Sequence, residues 1–142
     1  SKNAIGRLKD MLAMEKIDGE KLIEDADFQR KIAELEIDLA ALEFTELRTL
    51  ASEQAGKGPG LESSILKIKG TEIQQRITEL VMEGVGYYAV PFSDPLAHNE
   101  FAPGPDYAEG VTQNYANMRK TSIYGGSNEI QRNIIAKMVL GL

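Results

Sequence analysis

The chain has 142 residues, 42% of them hydrophobic and 27% charged, which is typical of a single soluble globular domain. With 22 acidic against 16 basic residues the net charge is −6, which argues against a nucleic-acid-binding surface or a basic membrane-binding patch. The absence of cysteine excludes disulfides, thiolate catalysis and cysteine-ligated zinc, and fits a cytoplasmic protein. The sequence contains no apolar run of the roughly 20 residues needed to span a bilayer.

Residues 1–16 are predicted to form the end of a helix, because apolar side chains recur every three or four positions from Ala4 to Leu12. Residues 17–19, Ile-Asp-Gly, interrupt this pattern. The helical periodicity begins at once, with no capping segment before it. We therefore expect residues 1–142 to be one domain taken from a longer protein.

Two long helices are predicted next, over residues 25–55 and 61–83, joined by a glycine- and proline-containing turn at 56–60. Each has the alternating four- and three-residue spacing of a bundle seam. The first seam comprises Phe28, Ile32, Leu35, Leu39 and Leu42 and continues through Leu47 and Leu50; the second comprises Leu66, Gly70, Ile73, Ile77 and Leu80. Gly70 costs about 1 kcal/mol within a helix, so we expect a helix or ligand to approach it closely.

The last third of the chain begins with a proline-rich loop over residues 90–106. A short helix is predicted at 111–122, and Ser127 is expected to cap a final helix. One face of that helix carries Ile130, Ile134, Ile135 and Met138. Strand-like alternation is not convincing anywhere, so the predicted fold is all-α: an antiparallel four-helix bundle with an extra short helix.

Several kinds of active site are excluded by the residues themselves. The only histidine, His98, lies in the proline-rich loop without a glutamate three residues before it, which excludes a di-iron site and leaves an exposed loop residue. Sequence motifs for a serine nucleophile, a phosphate-binding P-loop or a Rossmann dinucleotide site are absent. The acidic residues of the first long helix fit a solvated face; they are Glu34, Glu36, Glu43 and Glu46.

Two glycine-containing turns are the candidate binding elements. Gly84 and Gly86 remove side chains from a helix end, so backbone can approach a flat or phosphate-bearing ligand. Gly126 precedes a helix N-terminus whose free N–H groups suit anions and ligand oxygens. Ser127 adds a hydroxyl there, and Glu129 an acceptor for a ribose-type hydroxyl. The alternative is that the first turn is a plain C-cap and the second a plain N-cap.

The string Ile-Tyr-Gly-Gly-Ser-Asn-Glu-Ile-Gln-Arg at 123–132 resembles the terminal signature of acyl-CoA dehydrogenases. The Glu-Gly-Val-Gly-Tyr turn at 83–87 and the Asp-Phe-Gln helix entry at 27–29 are similar to further motifs of that family, as are the helix lengths and their order. The resemblance covers essentially the whole chain.

The resemblance implies binding of FAD and an acyl-CoA, with a carboxylate removing the α-proton while the β-hydride moves to the flavin. It also implies electron transfer to an electron-transfer flavoprotein and a homo-oligomer, a dimer or tetramer, assembled through this bundle, with FAD between subunits. The implied cofactor-binding residues are Gly84, Gly86, Gly126, Ser127 and Glu129.

The chain departs from the family pattern at three positions. Gly125 stands where short- and medium-chain members carry the catalytic glutamate, and a glycine cannot abstract a proton, so we assign no catalytic residue. Glu15 or Lys16 aligns with the arginine that pairs with the FAD pyrophosphate, and a glutamine of the second turn aligns near Leu80. A non-catalytic relative that uses the bundle for assembly, and an unrelated helical interaction module, remain the alternatives.

Overall fold

The structure, a computed structural model, describes residues 1–56, 60–91 and 103–141. His98, residues 57–59 of the predicted turn and most of the predicted 90–106 loop lie outside these ranges. Within them, helices α1 to α5 span Lys2–Met14, Ala26–Gln54, Glu62–Val85, Val111–Met118 and Asn128–Leu140. Single 3-10 turns cover Leu22–Glu24, Gly86–Ala89, Asp106–Ala108 and Arg119–Ser122. Four longer helices and the short α4 confirm the predicted fold class.

Consecutive long helices run antiparallel, as their cross-helix pairs show. Lys2 of α1 pairs with Glu43 of α2 at 2.8 Å, and Lys9 pairs with Glu36 at 2.6 Å. The residue number of the partner in α2 falls as that in α1 rises, which is the order of an antiparallel pair. The same order relates α2 to α3: Lys31 pairs with Glu83 near one end, and Leu42 faces Gly70 further along. Both predicted long helices are therefore confirmed in position and direction.

The core lies between α1, α2 and α3. Each helix contributes buried residues at three- and four-residue spacing, and 3-10 turns and α4 close the end of the core. The helical members are Ile5, Leu8, Met11, Leu12, Phe28, Ile32, Leu35, Leu39, Ile73, Ile77, Leu80 and Val85. Burial of these side chains is the main stabilising contribution to the bundle.

The predicted α2 seam ends at Leu42, which is partly buried, whereas Leu47 and Leu50 are exposed. The reason is length: α2 has 29 residues but α1 has only 13, so in the described part of the chain α1 covers only the first portion of α2. The apolar face predicted for α5 is likewise largely exposed, at Ile130, Ile134 and Met138. None of the described helices has both the length and the apolar character needed to cross a membrane.

Between α1 and α2 the structure contains a small hairpin that the sequence pattern did not predict. Strands β1 (Lys16–Ile17) and β2 (Glu20–Lys21) pair antiparallel around Asp18 and Gly19. Both loop residues have positive φ, 54° and 90°, the conformation of the tight turn that Asp-Gly favours. Strands of two residues are too short to show alternation, which is why only the break in the helix was predicted.

Candidate functional site

Residues 123–127, which we name the glycine loop, join the Arg119–Ser122 turn to α5. Gly125 and Gly126 both have positive φ, 67° and 85°. A Cβ atom at Gly126 would lie 2.6 Å from Nε2 of Gln131, a flexible side-chain end that can move, so it is the positive φ that favours glycine at this position. The loop presents exposed Ile123 and Tyr124 side chains before the chain enters α5.

The N-terminus of α5 carries the predicted cap. Ser127 is the N-cap residue, and its Oγ accepts from the backbone N–H of Ile130 at 3.4 Å. The pKa of Glu129 lies below its ordinary value because its carboxylate accepts from its own backbone N–H and then from the Ser127 hydroxyl. The site thus holds an ionised acceptor, and the N–H groups of Glu129, Ile130 and Gln131 in the first turn of α5 already have acceptors within the chain. It suits a hydroxyl donor better than a second anion.

Side chains of α3 hold both ends of the glycine loop. Nζ of Lys67 donates to the Ser122 carbonyl at 3.2 Å and to Oδ1 of Asn128 at 2.6 Å, one residue before and one after the loop. Asn128 is buried, and its Nδ2 donates to the Thr71 hydroxyl at 3.3 Å. The start of α5 is therefore fixed to the N-terminal half of α3.

A second set of polar contacts fixes the turn that precedes the loop. Nε2 of Gln75 lies within 3.3 Å of the carbonyls of Met118 and Arg119 and of the Thr121 hydroxyl. In return, Arg119 donates to the Gln75 carbonyl at 2.9 Å and to Oγ1 of Thr78 at 3.0 Å. Lys67, Thr71, Gln75 and Arg119 were not among the predicted site residues, although the first three recur every four positions on one face of α3.

The two glycines of the predicted turn at the end of α3 have different surroundings: Gly84 packs against α1, and Gly86 faces open space. Gly84 is buried, and a Cβ there would lie 2.6 Å from Cε of Met11 and 2.7 Å from Cδ2 of Leu12. Close packing of α1 therefore explains this glycine. Gly86 ends the helix with φ 62°, and open space surrounds the position of its missing Cβ. The next residue, Tyr87, is 93% exposed.

The charges around this helix end are mostly acidic. The Lys31 ammonium, whose side chain is 13% exposed, pairs with Asp27 at 2.6 Å and with Glu83. Hydrogen bonds to Asp27 and then to Glu83 raise the pKa of Lys31 above its ordinary value, so two carboxylates already use its charge. Carbonyl groups of a helix C-terminus add negative partial charge. This end therefore suits a flat ring or a hydrogen-bond donor and does not fit a pyrophosphate.

The two predicted clusters lie far apart along α3. The glycine-loop end contacts α3 at Lys67 and Thr71, whereas Gly86 follows its last residue. At 1.5 Å of rise per residue, Thr71 and Gly86 are about 22 Å apart along the helix axis. The structure does not bring the predicted residues into one pocket, so Gly86 and Glu129 of one chain cannot contact the same group of a ligand.

A groove of about 360 Å³ lies between α1, α3 and α4, with Tyr124 on its edge. Ala4, Ile77 and Met118 give it an apolar lining, and Gln74 and Asn114 add side-chain amides. The groove has room for a small apolar group beside Tyr124. Within the described ranges, no group of three or more histidine, aspartate or glutamate side chains is placed to hold a metal ion.

Comparisons with known proteins agree on one family. The family described as "Acyl-CoA dehydrogenase, C-terminal domain" matches residues 1–140. Acyl-CoA dehydrogenase IpdE1 of Mycobacterium tuberculosis is 33% identical over 105 residues, which are 70% of this chain and 24% of that protein. The chain thus spans about a quarter of the length of this curated relative.

Solved structures give the same fold over nearly the whole chain. The ChsE4–ChsE5 complex from Mycobacterium tuberculosis contains a chain that is 27% identical, with a TM-score of 0.74, covering 99% of this chain and 34% of that one. The FAD complex of PigA has a TM-score of 0.76 at 17% identity, covering 99% of this chain and 33% of that one, which shows likeness of fold alone. With the family match over residues 1–140, the chain belongs to the acyl-CoA dehydrogenase family, as its C-terminal domain.

Proposed function

We propose that this chain is the C-terminal bundle of an FAD-dependent enzyme that oxidises an acyl-CoA thioester between its α and β carbons. The observation that carries the proposal is the glycine loop, which is capped onto α5 at Ser127 and lies beside a groove of about 360 Å³, in a chain matched to the family over residues 1–140. The activity is proposed for the whole protein.

FAD is the proposed cofactor, supported by the FAD complex of the structural neighbour PigA. Gly126, Ser127 and Glu129 are proposed to contact its hydroxyl-bearing part, because Glu129 is an ionised acceptor and a phosphate there would be repelled. Gly86 is proposed to let a flat ring approach, and Gly84 contributes by letting α1 support that turn. FAD, when bound, supplies the acceptor for the substrate hydride.

An acyl-CoA is the proposed substrate, with its acyl group in the groove beside Tyr124. Removal of the α-proton needs a base, and Gly125 has no side chain to provide one. The carboxylate is proposed to come from another part of the protein. The isolated chain is expected to show no dehydrogenase activity.

A homo-oligomer and an electron-transfer flavoprotein are the proposed protein partners. The exposed Ile130, Ile134 and Met138 of α5, together with Phe44 and Leu47 of α2, leave apolar surface that association would cover. Sedimentation of this chain at high concentration should reveal self-association; a strictly monomeric profile would contradict it. The structural neighbour ChsE4–ChsE5 is a complex of two chains. If the intact protein assembles only with a different chain, a hetero-oligomer replaces the proposed homo-oligomer.

A non-catalytic relative that uses the bundle for assembly is the second candidate. It is favoured by Gly125 in place of a carboxylate and by the acidic surroundings of Gly86, where Lys31 is shared between Asp27 and Glu83. This candidate predicts a protein that assembles but neither retains FAD nor oxidises an ester.

The intact protein decides between the two. We would record its visible spectrum after purification and then add a panel of acyl-CoA esters without oxygen. Bleaching of flavin absorbance by one ester supports the dehydrogenase and identifies the substrate class. A colourless protein that also fails to take up added FAD supports the assembly role.

A further inference from the structure

We propose that Lys67 is a positioning residue that sets the geometry of the glycine loop by holding both of its ends to α3. Its ammonium donates to the Ser122 carbonyl at 3.2 Å and to Oδ1 of Asn128 at 2.6 Å. Ser122 immediately precedes the loop and Asn128 immediately follows it. A single charged group thus closes the base of a five-residue loop.

The loop needs such a closure because its own backbone is permissive. Gly125 and Gly126 are consecutive, and glycine loses more conformational freedom on ordering than any other residue. The Ile123 and Tyr124 side chains are exposed, so within the described part of the chain they do not anchor the loop in the core. Contacts at the two ends must therefore hold its conformation.

Asn128 is fixed so that its oxygen faces Lys67. Its Nδ2 donates to Oγ1 of Thr71 at 3.3 Å, and that hydroxyl in turn donates to the Ile68 carbonyl at 2.7 Å. Asn128 is buried, so loss of the Lys67 contact leaves its amide oxygen with only a weaker 3.4 Å contact to Thr71. A buried acceptor that loses its partner is costly, so the pair is expected to resist opening.

The placement of Lys67 is electrostatically unusual. Its ammonium lies at the N-terminus of α5, where it donates to Asn128. The helix dipole disfavours a cation at that end, and acidic or hydroxyl side chains are the usual choice there. Among the described ion pairs Lys67 has no carboxylate partner and both of its hydrogen-bond acceptors are neutral, although its charge helps to lower the pKa of Glu129. The two hydrogen bonds tie the lysine to both ends of the loop, and its attraction to Glu129 acts at the same end of α5.

The catalytic consequence rests on the proposed function, because it requires the loop to contact the cofactor. Closure by Lys67 orients the Gly126 backbone, the Ser127 hydroxyl and the Glu129 carboxylate together, since all three lie within two residues of Asn128. Misplacement of such groups by about 1 Å can cost on the order of 100-fold in rate.

The structural part is tested by amide hydrogen exchange at Tyr124, Ile130 and Gln131 in the intact protein. Lys67→Met should accelerate exchange at these amides by about 10- to 100-fold, as loss of a charge-assisted bond implies. Lys67→Gln, a second variant in case the first misfolds, should do the same because its shorter amide cannot span both acceptors. The matched control is Lys69→Met, on the same helix, which removes an exposed pair with Glu72 and a weaker attraction to Asp38 and makes no described contact with the glycine loop.

Unchanged exchange in both Lys67 variants, or equal acceleration in Lys69→Met, would overturn the proposal. A double-mutant cycle with Asn128→Leu adds a second criterion. If Lys67 acts through Asn128, the double variant should exchange no faster than the faster single variant. Fully additive acceleration would mean that the two side chains act independently and would contradict closure by Lys67.

Turnover per bound flavin separates positioning from stability. With an ester that the wild type oxidises, Lys67→Met should lower kcat by about tenfold or more while retaining FAD and most of its thermal stability, and Lys69→Met should match the wild type. Wild-type kcat in a Lys67→Met protein with a loosened loop would overturn the catalytic role. If no ester reduces the wild type, the proposed function has failed, and the exchange measurements alone decide whether Lys67 closes the loop.

Discussion

Arg119 donates from Nη1 to Oε1 of Glu79 over 2.8 Å, and this ion pair joins the turn before the glycine loop to α3. The Arg119 Cζ atom also lies 4.3 Å from the centre of the Tyr115 ring. Both charged side chains are about one-third exposed, at 33% and 36%, so solvent screens the pair. The bonds from Nη2 to the Gln75 carbonyl and to buried Thr78 are expected to contribute the larger share.

Arg119→Met should lower the free energy of unfolding by about 1–3 kcal/mol, because several charge-assisted bonds are lost at once. Urea denaturation measures the difference. Arg7→Met is the control: Arg7 is exposed and makes one 3.4 Å bond to the Asn3 carbonyl, so its change should stay within about 0.5 kcal/mol. Equal changes in the two variants would show that the Arg119 contacts contribute nothing specific.

Gly84→Ala and Gly70→Ala should shift stability in opposite directions. At Gly84 a Cβ would approach Cδ2 of Leu12, itself fully buried, to 2.7 Å, and overpacking of this kind costs about 1–3 kcal/mol. At Gly70 the nearest atom is Cδ2 of Leu42 at 4.0 Å, an ordinary contact, so the helix propensity of alanine should stabilise by up to about 1 kcal/mol. Thermal unfolding of both variants measures the contrast, and a stabilised Gly84→Ala would contradict the packing of α1 against α3.

The same two glycines show what the sequence could predict. Helix positions and core faces followed from apolar spacing, because burial of one face is what creates that spacing. Close approach was expected at Gly70, yet the structure places it at Gly84, since the approach depends on how α1 crosses α3. Crossing geometry is a tertiary property, and it leaves no periodic signal in either helix alone.

The sequence predicted the local features of the candidate site and missed its long-range contacts. Ser127 was recognisable as a cap because capping is local, and the structure confirms its bond to Ile130. Lys67 contacts residues 55 and 61 positions away, and a lysine on a helix is ordinarily read as a solvated side chain. The hairpin at Asp18 and Gly19 did have a local signal, the Asp-Gly pair, which indicates a tight turn as well as the end of a helix.

Ser127→Ala should destabilise the chain and raise the pKa of Glu129. Loss of the N-cap costs about 0.5–2 kcal/mol, and the 3.4 Å bond to Ile130 N favours the lower end. The Ser127 hydroxyl is the second cause of the lowered pKa of Glu129, after the backbone N–H of Glu129 itself. NMR titration of the carboxyl should therefore move toward its ordinary 4.5 in the variant.

The lowered pKa of Glu129 also sets a pH window. The unfolded chain binds the proton at the ordinary value of 4.5, whereas the folded chain binds it only at lower pH. The stabilisation is therefore present above pH 4.5 and is lost as pH falls through the folded pKa. Glu129→Gln should remove this part of the acid dependence of unfolding. If Glu129→Gln and wild type lose stability in parallel below pH 4.5, the interaction makes no contribution.

Tyr107 provides a test at the alkaline end. Its hydroxyl donates to Oε1 of Glu15, at the C-terminal end of α1, and joins the Asp106–Ala108 turn to that helix. Burial first, and then the hydrogen bond to Glu15, raise the pKa of Tyr107 from 10.0 to about 12. The neutral phenol is the form that the fold stabilises, because ionisation would remove the donor and place a negative charge beside a carboxylate.

Tyr107→Phe should therefore lose a pH-dependent part of stability. The unfolded tyrosine ionises near 10.0, so the stabilisation is complete below pH 10.0 and is lost as pH rises from there to about 12. Below pH 10.0 the variant should be less stable than the wild type by about 1 kcal/mol, the net contribution of one hydrogen bond. Urea denaturation should show that gap closing above pH 10.0. An ultraviolet titration of the wild type, with five tyrosines, should contain a step near pH 12 that the variant lacks; a variant whose missing step lies near pH 10 instead would mean that Glu15 and α1 do not restrain Tyr107.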